Sequence, residues 1–124
     1  MRVLLSIKPE YAEKILDGEK RYEFRKAIPK AAGVKTVVIY ATMPVGKVVG
    51  EFEIDGILSE HPRDLWSQTR DFAGITKQFF NAYFSGRVRG HALKVKKARR
   101  YSQPKPLSDV IAHGVPPQSF CYLT

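Results

Sequence analysis

Cysteine is nearly missing from this 124-residue sequence: Cys121 stands alone. An intramolecular disulfide and a cysteine-built zinc site are both excluded. Its SFCYL context reads as a small core hydrophobe rather than a nucleophile. Long apolar runs are missing too, since none approaches the roughly 18 residues of a membrane span. The apolar stretch in MRVLLSIKPE is cut off by Lys8 and Pro9, too early for a secretory leader. A cytoplasmic protein without a membrane partner is the expectation. Histidine is scarce: His61, His91 and His113 are far apart and give no metal-ligand spacing. We read them as surface or loop residues and expect no metal and no cofactor.

Acidic residues are absent from one region. Between Asp71 and Asp109 there is none, whereas nine basic residues occur: Lys77, Arg87, Arg89, Lys94, Lys96, Lys97, Arg99, Arg100 and Lys105. The remaining sequence carries 12 of each sign, so the whole net charge of +9 belongs to that stretch. Such segregation points to a polyanion, RNA or a nucleotide. Arg87, Arg89, Lys94, Lys96, Lys97, Arg99 and Arg100 are the candidate contacts to a phosphate backbone. The competing reading is a solvated basic face. No helical apolar face lies opposite these charges, which argues against membrane-surface binding.

The length fits one domain, residues 1–124, and 44% hydrophobic with 27% charged residues is a globular composition. Val3, Leu5 and Ile7 mark a first strand that ends at Lys8-Pro9. Tyr11, Ala12, Ile15 and Leu16 recur at helical spacing from Pro9 to Asp17, with Gly18 suited to the C-terminal turn. Arg21 to Arg25 alternates as a strand, Thr36 to Ala41 is a β-branched run, and Val48 to Ile57 alternates most cleanly. Pro62 to Thr69 predicts a short helix. Thr76 is an N-cap for another, which ends near Phe84 and Gly86. Phe79, Phe80, Tyr83 and Phe84 form its apolar face and read as core rather than as base-stacking rings; Tyr101 is the better stacking candidate. Arg89 to Lys97 is a strand, Gln103 to Pro117 with its four prolines an extended connection, and Ser119 to Leu123 a last strand. About six strands with two or three short helices and no regular βαβ alternation predict an α+β fold, a small mixed β-barrel.

Familiar catalytic motifs are missing. Gly46-Lys47 lacks the rest of a phosphate loop, and no G-x-S-x-G elbow occurs. The densest polar cluster runs from Asp17 to Lys26. Glu23 and Arg25, two apart on a strand, point the same way and make either a structural ion pair or a donor–acceptor set for a planar ligand such as a base. Lys20 has the opposite strand parity and joins them only from a turn or through a bulge.

The segment Gly18-Glu-Lys20-Arg-Tyr-Glu23-Phe-Arg25 resembles the G-x-K-x-x-E-x-R pattern of the ASCH domain, of the PUA-like group of small β-barrels. Leu5-Ser-Ile-Lys-Pro9, Ile39-Tyr-Ala-Thr-Met-Pro44, Val49-Gly-Glu51 and Pro117-Gln-Ser-Phe-Cys-Tyr122 resemble its other segments, so the likeness spans most of the chain. The resemblance implies a barrel with a cleft beside the first helix and a role in RNA contexts. It makes Lys20, Glu23 and Arg25 candidate ligand contacts, with Ser6, Lys8 and Thr42 flanking them. One branch of the family hydrolyses the acetyl amide of N4-acetylcytidine, with a Lys, a Thr three residues later and a distant Glu implicated. Here Lys20 is kept, but Glu23 replaces the Thr and removes the hydroxyl nucleophile. Proton transfer by Lys20 and Glu23 stays open if burial lowers the Lys20 pKa. A ribonuclease role is suggested for other members, and this sequence has no evident His pair for one. A regulatory module without catalysis is the remaining alternative.

Overall fold

The computed structural model describes residues 1–31 and 33–123. Its elements are β1 (Arg2–Ile7), α1 (Pro9–Leu16), β2 (Tyr22–Arg25), β3 (Thr36–Ala41), β4 (Lys47–Glu60), α2 (Pro62–Thr69), α3 (Lys77–Tyr83), β5 (Gly90–Lys105) and β6 (Phe120–Leu123). The strands form one mixed sheet in the order β2-β5-β4-β3-β1-β6. β1 and β3 run parallel, with α1 and β2 in the connection between them; the other pairs are antiparallel. The architecture is the expected α+β class.

β3 is buried from Val37 to Ala41 because both of its faces are covered. Val37 and Ile39 pack with Val3, Leu5, Ile15 and Phe52 on one face. Val38 and Tyr40 pack with Leu4, Val48 and Leu107 on the other. A third cluster joins α2 and α3 to β2 and β5 through Leu65, Phe80, Phe84, Phe24 and Ala92. Pro9 opens α1, and Gly18, at φ +86°, turns the chain away from its end. The Thr76 side chain accepts the Phe79 N–H and so caps α3.

The expected closed barrel is not formed: the sheet is curved but open, with β2 and β6 as the free ends of its order. Three strands separate β2 from β1, which in a flat sheet places them about 19 Å apart. Yet Arg25 on β2 donates from Nη2 to the Ser6 carbonyl on β1, at 2.9 Å. The sheet therefore bends until its far strands face each other, and a side chain bridges the gap that a ladder would fill in a closed barrel.

Two strands exceed the sequence reading. β4 runs to Glu60 and β5 to Lys105, so Gln103-Pro104-Lys105 belongs to a strand and not to the connection. Their register shifts at three places, and Lys97 takes a left-handed φ of +50°. Each shift inverts the alternation of side chains, which hides a long strand from a period-2 reading. No helix among the described residues is long and apolar enough to cross a membrane.

Candidate functional site

A cleft of about 140 Å³ opens between the C-terminal end of β1, the turn after α1, β2 and α3. Its polar floor is Lys20, Glu23 and Arg25, all buried. Lys20 reaches it because it stands in the turn, before β2 begins, where strand parity does not apply. Its N–H donates to the Lys14 carbonyl, and the next residue, Arg21, donates to Phe72. The side chain is thereby aimed inward and is only 1% exposed.

The Lys20 ammonium donates to the Ala73 carbonyl at 2.5 Å and lies 4.8 Å and 5.5 Å from the ring centroids of Phe24 and Tyr11. It makes no ion pair among the described residues. Burial pushes its pKa down to about 8; Glu23 opposes that shift and Lys14 adds to it. Glu23 instead pairs with Arg25, Nε to Oε2 at 3.3 Å. That contact is Coulombic rather than a well-aligned hydrogen bond, for the buried Arg25 Nε has no hydrogen-bond acceptor.

The walls are aromatic: Tyr11 from α1, Phe24 from β2, and Phe79 and Tyr83 from α3. Burial raises the phenol pKa of both Tyr11 and Tyr83. The expected apolar face of α3 is thus two faces. Phe80 and Phe84 are core, whereas Phe79 and Tyr83, four apart, stack at 6.4 Å with ring planes 10° apart and line the cleft. Lys77, Gln78 and Asn81 mark the polar side of this helix, but nothing in the sequence divides the four rings between core and cleft.

Ser6 and Lys8 line the rim. The Ser6 hydroxyl is engaged, donating to the Pro117 carbonyl at 2.8 Å. Thr42 is set apart: it sits in the turn after β3, donates its N–H to Ile7, and does not line the cleft. The motif carried no information on the direction of that turn.

The basic segment is divided as well. β5 pairs with β2 only as far as Lys94, so Lys96 to Arg100 run onward beside β4 and α1, away from the cleft. There they meet carboxylates. Lys96 pairs with Asp55 and Lys97 with Glu53, each at 3.6 Å; Arg99 pairs with Glu51 at 3.0 Å; Arg100 reaches Glu13 at 2.8 Å and Asp17 at 2.9 Å. Arg87 and Arg89 are exposed at the cleft end, where Arg89 donates to the Ser59 carbonyl. Lys94 is half-buried.

Two histidines are in loops or at a helix start, as expected, but His91 is a strand residue. It stands across from Ser59 and shares a 2.7 Å hydrogen bond with its hydroxyl; partial burial lowers its pKa. Among the described residues no three His, Cys, Asp or Glu side chains gather as a metal site.

Gly74 supports the floor from behind. At φ +68°, a Cβ there would lie 2.5 Å from both Cβ and Cγ of Lys20. These atoms are close to the backbone and cannot swing away. Gly74→Ala is expected to cost about 2–3 kcal/mol in a denaturant titration; a loss under about 0.5 kcal/mol would mean the Lys20 stem is not packed there.

The ASCH domain model matches residues 5–112 of the sequence, which includes every floor residue of the cleft. The chain belongs to the ASCH domain family. The ASCH domain-containing ribonuclease of Zymomonas mobilis is 32% identical over 97% of this chain and 82% of its own length. The crystal structure of ASCH from Zymomonas mobilis superposes with a TM-score of 0.92 at 31% identity, covering 99% of this chain and 87% of that one. The Ureaplasma parvum protein named large ribosomal subunit protein uL22 is 34% identical over 98% of this ASCH chain, which spans only 39% of that relative's length.

Proposed function

We propose that this ASCH domain binds RNA and takes one base or nucleotide into the cleft. Lys20, Glu23 and Arg25 would supply the donors and acceptors, with Ser6 and Lys8 at the rim. Cations at the cleft end of the Arg87–Arg100 segment would hold the backbone. One observation carries this reading: a buried Lys–Glu–Arg floor under aromatic walls. Aromatic faces suit any base by stacking, and charged groups at the floor discriminate among base edges. The Zymomonas relative named a ribonuclease supports an RNA context.

Fluorescence anisotropy with a labelled single-stranded RNA tests the proposal. If about four phosphates are neutralised, the slope of log affinity against log salt is about −2.8. Salt-independent binding, or no binding at low salt, would reject it.

A second reading, hydrolysis of RNA or of an acylated nucleoside, has one specific observation in its favour. A lysine held near pKa 8 releases and takes up a proton near neutral pH. The rate would then rise as pH passes through about 8, because neutral Lys20 is the base. A flat profile between pH 7 and 9 would exclude Lys20 from that role.

A further inference from the structure

The cleft is smaller than the roughly 300–1,000 Å³ of a pocket that encloses a whole ligand. A base-sized fragment enters, and the sugar and phosphates of the same nucleotide stay outside. The question is which cations meet those phosphates.

Charge alone favours Lys96, Lys97, Arg99 and Arg100 on β5. Each of them, however, already carries a carboxylate partner from β4 or α1. A phosphate binding there must displace that partner, so the net gain is small. The cleft mouth is arranged differently. Lys8, just after β1, holds its ammonium 5.2 Å from the Phe79 centroid. Lys26, just after β2, holds its own 4.7 Å from the Tyr83 centroid. Those two rings are stacked neighbours, so both ammonium groups lie along the α3 edge of the mouth. Arg87 donates its backbone N–H to the Phe84 carbonyl, which places it in the turn at the C-terminal end of α3, one turn on from Tyr83. Its charge, after that of Arg25, lowers the Tyr83 phenol pKa against the effect of burial. None of the three has an ion-pair partner among the described residues. Glu23, the only carboxylate lining the cleft among the described residues, is taken by Arg25.

We infer that Lys8, Lys26 and Arg87 form a phosphodiester clamp at the mouth of the cleft, holding the phosphates on either side of the inserted base. RNA then meets unpaired cations at the mouth, and the cations of β5 from Lys96 to Arg100 serve the fold. This inference rests on the RNA reading. The cation–π contacts have a clear use in it: they hold two flexible lysines in place before the phosphate arrives, which lowers the ordering cost of binding.

The test is a salt titration of labelled single-stranded RNA against wild type, Lys8→Ala/Lys26→Ala and Lys96→Ala/Lys97→Ala. The mouth variant is expected to lose at least about 10-fold in affinity, and its log–log slope to shrink by about 1.4, two phosphates' worth on a single strand. The β5 variant is expected to stay within about twofold of wild type. Lys8→Arg/Lys26→Arg should restore the slope, which separates a charge role from a packing role. Equal losses in the two alanine variants, or a loss confined to β5, would overturn the clamp and leave the RNA reading standing. Wild type that binds no RNA at low salt would remove both. Competition by polyglutamate as strong as by RNA would overturn the phosphodiester assignment.

Discussion

Arg25→Ala is expected to remove about 4 kcal/mol of stability. Glu23 is 7% exposed and has Arg25 as its ion-pair partner, so the truncation strands a buried carboxylate. It also removes the bond from Nη2 to the Ser6 carbonyl, the side-chain bridge between β2 and β1. A loss of this size is a large share of the roughly 5–15 kcal/mol that holds a domain folded. Urea midpoints would read it. Adding Glu23→Gln to the Arg25→Ala variant should return about half of the loss, because the stranded charge is gone while the bridge is still missing. A single-variant loss below about 1 kcal/mol would show that the pair is solvated and the bridge dispensable.

Lys20→Met is expected to do the reverse, raising stability while weakening RNA binding. The Lys20 pKa is about 8 in the folded protein against an ordinary 10.5. Between those values the unfolded chain binds more protons, so wild-type stability rises with pH from about 8 to about 10.5 and is lowest below 8. Near pH 7 the buried ammonium costs about 3 kcal/mol by that difference. Methionine keeps the length of the stem and carries no charge. It leaves the Ala73 carbonyl without its donor, which reduces the gain to about 2 kcal/mol. Thermal scans at pH 7 should show a higher melting temperature for the variant. The gap should close by pH 10, where wild-type Lys20 has lost its proton. A variant less stable than wild type at pH 7 would mean that the bond to Ala73 and the two rings outweigh the burial of the charge. A costly buried lysine is consistent with a group retained for what it does to a ligand.

Exposed pairs such as Arg100 with Glu13 and Asp17 work differently. They tie α1 to β5 across long sequence separations, and each contributes little by itself.

Much of the fold was legible along the chain, for reasons that belong to single elements. The helix over Pro62–Thr69 and the strand over Thr36–Ala41 have the predicted bounds, and Gly18 and Thr76 act as the predicted cap residues. Each depends on the chemistry of adjacent residues: a fixed proline φ, a hydroxyl that accepts an N–H, a glycine free of Cβ, a β-branched run. The motif residues Lys20, Glu23 and Arg25 were legible as a set through family resemblance, and the excess of charge by counting.

Only the tertiary structure decided how these parts act together. Sheet curvature brought Arg25 to β1. The turn after α1, pinned by Phe72 and Ala73 more than fifty residues on, aimed Lys20 into the cleft floor. The packing of α3 on β2 assigned Phe80 and Phe84 to the core and left Phe79 and Tyr83 to the cleft. Register shifts between β4 and β5 set basic residues beside acidic ones, while the ends of β1 and β2 carry Lys8 and Lys26 to the rings of α3. Periodicity reports the average burial of one element along its own axis, whereas convergence depends on register, curvature and contacts between distant segments. The motif residues of the cleft floor were written in the sequence, and their arrangement around one cleft was set by the packing of the sheet.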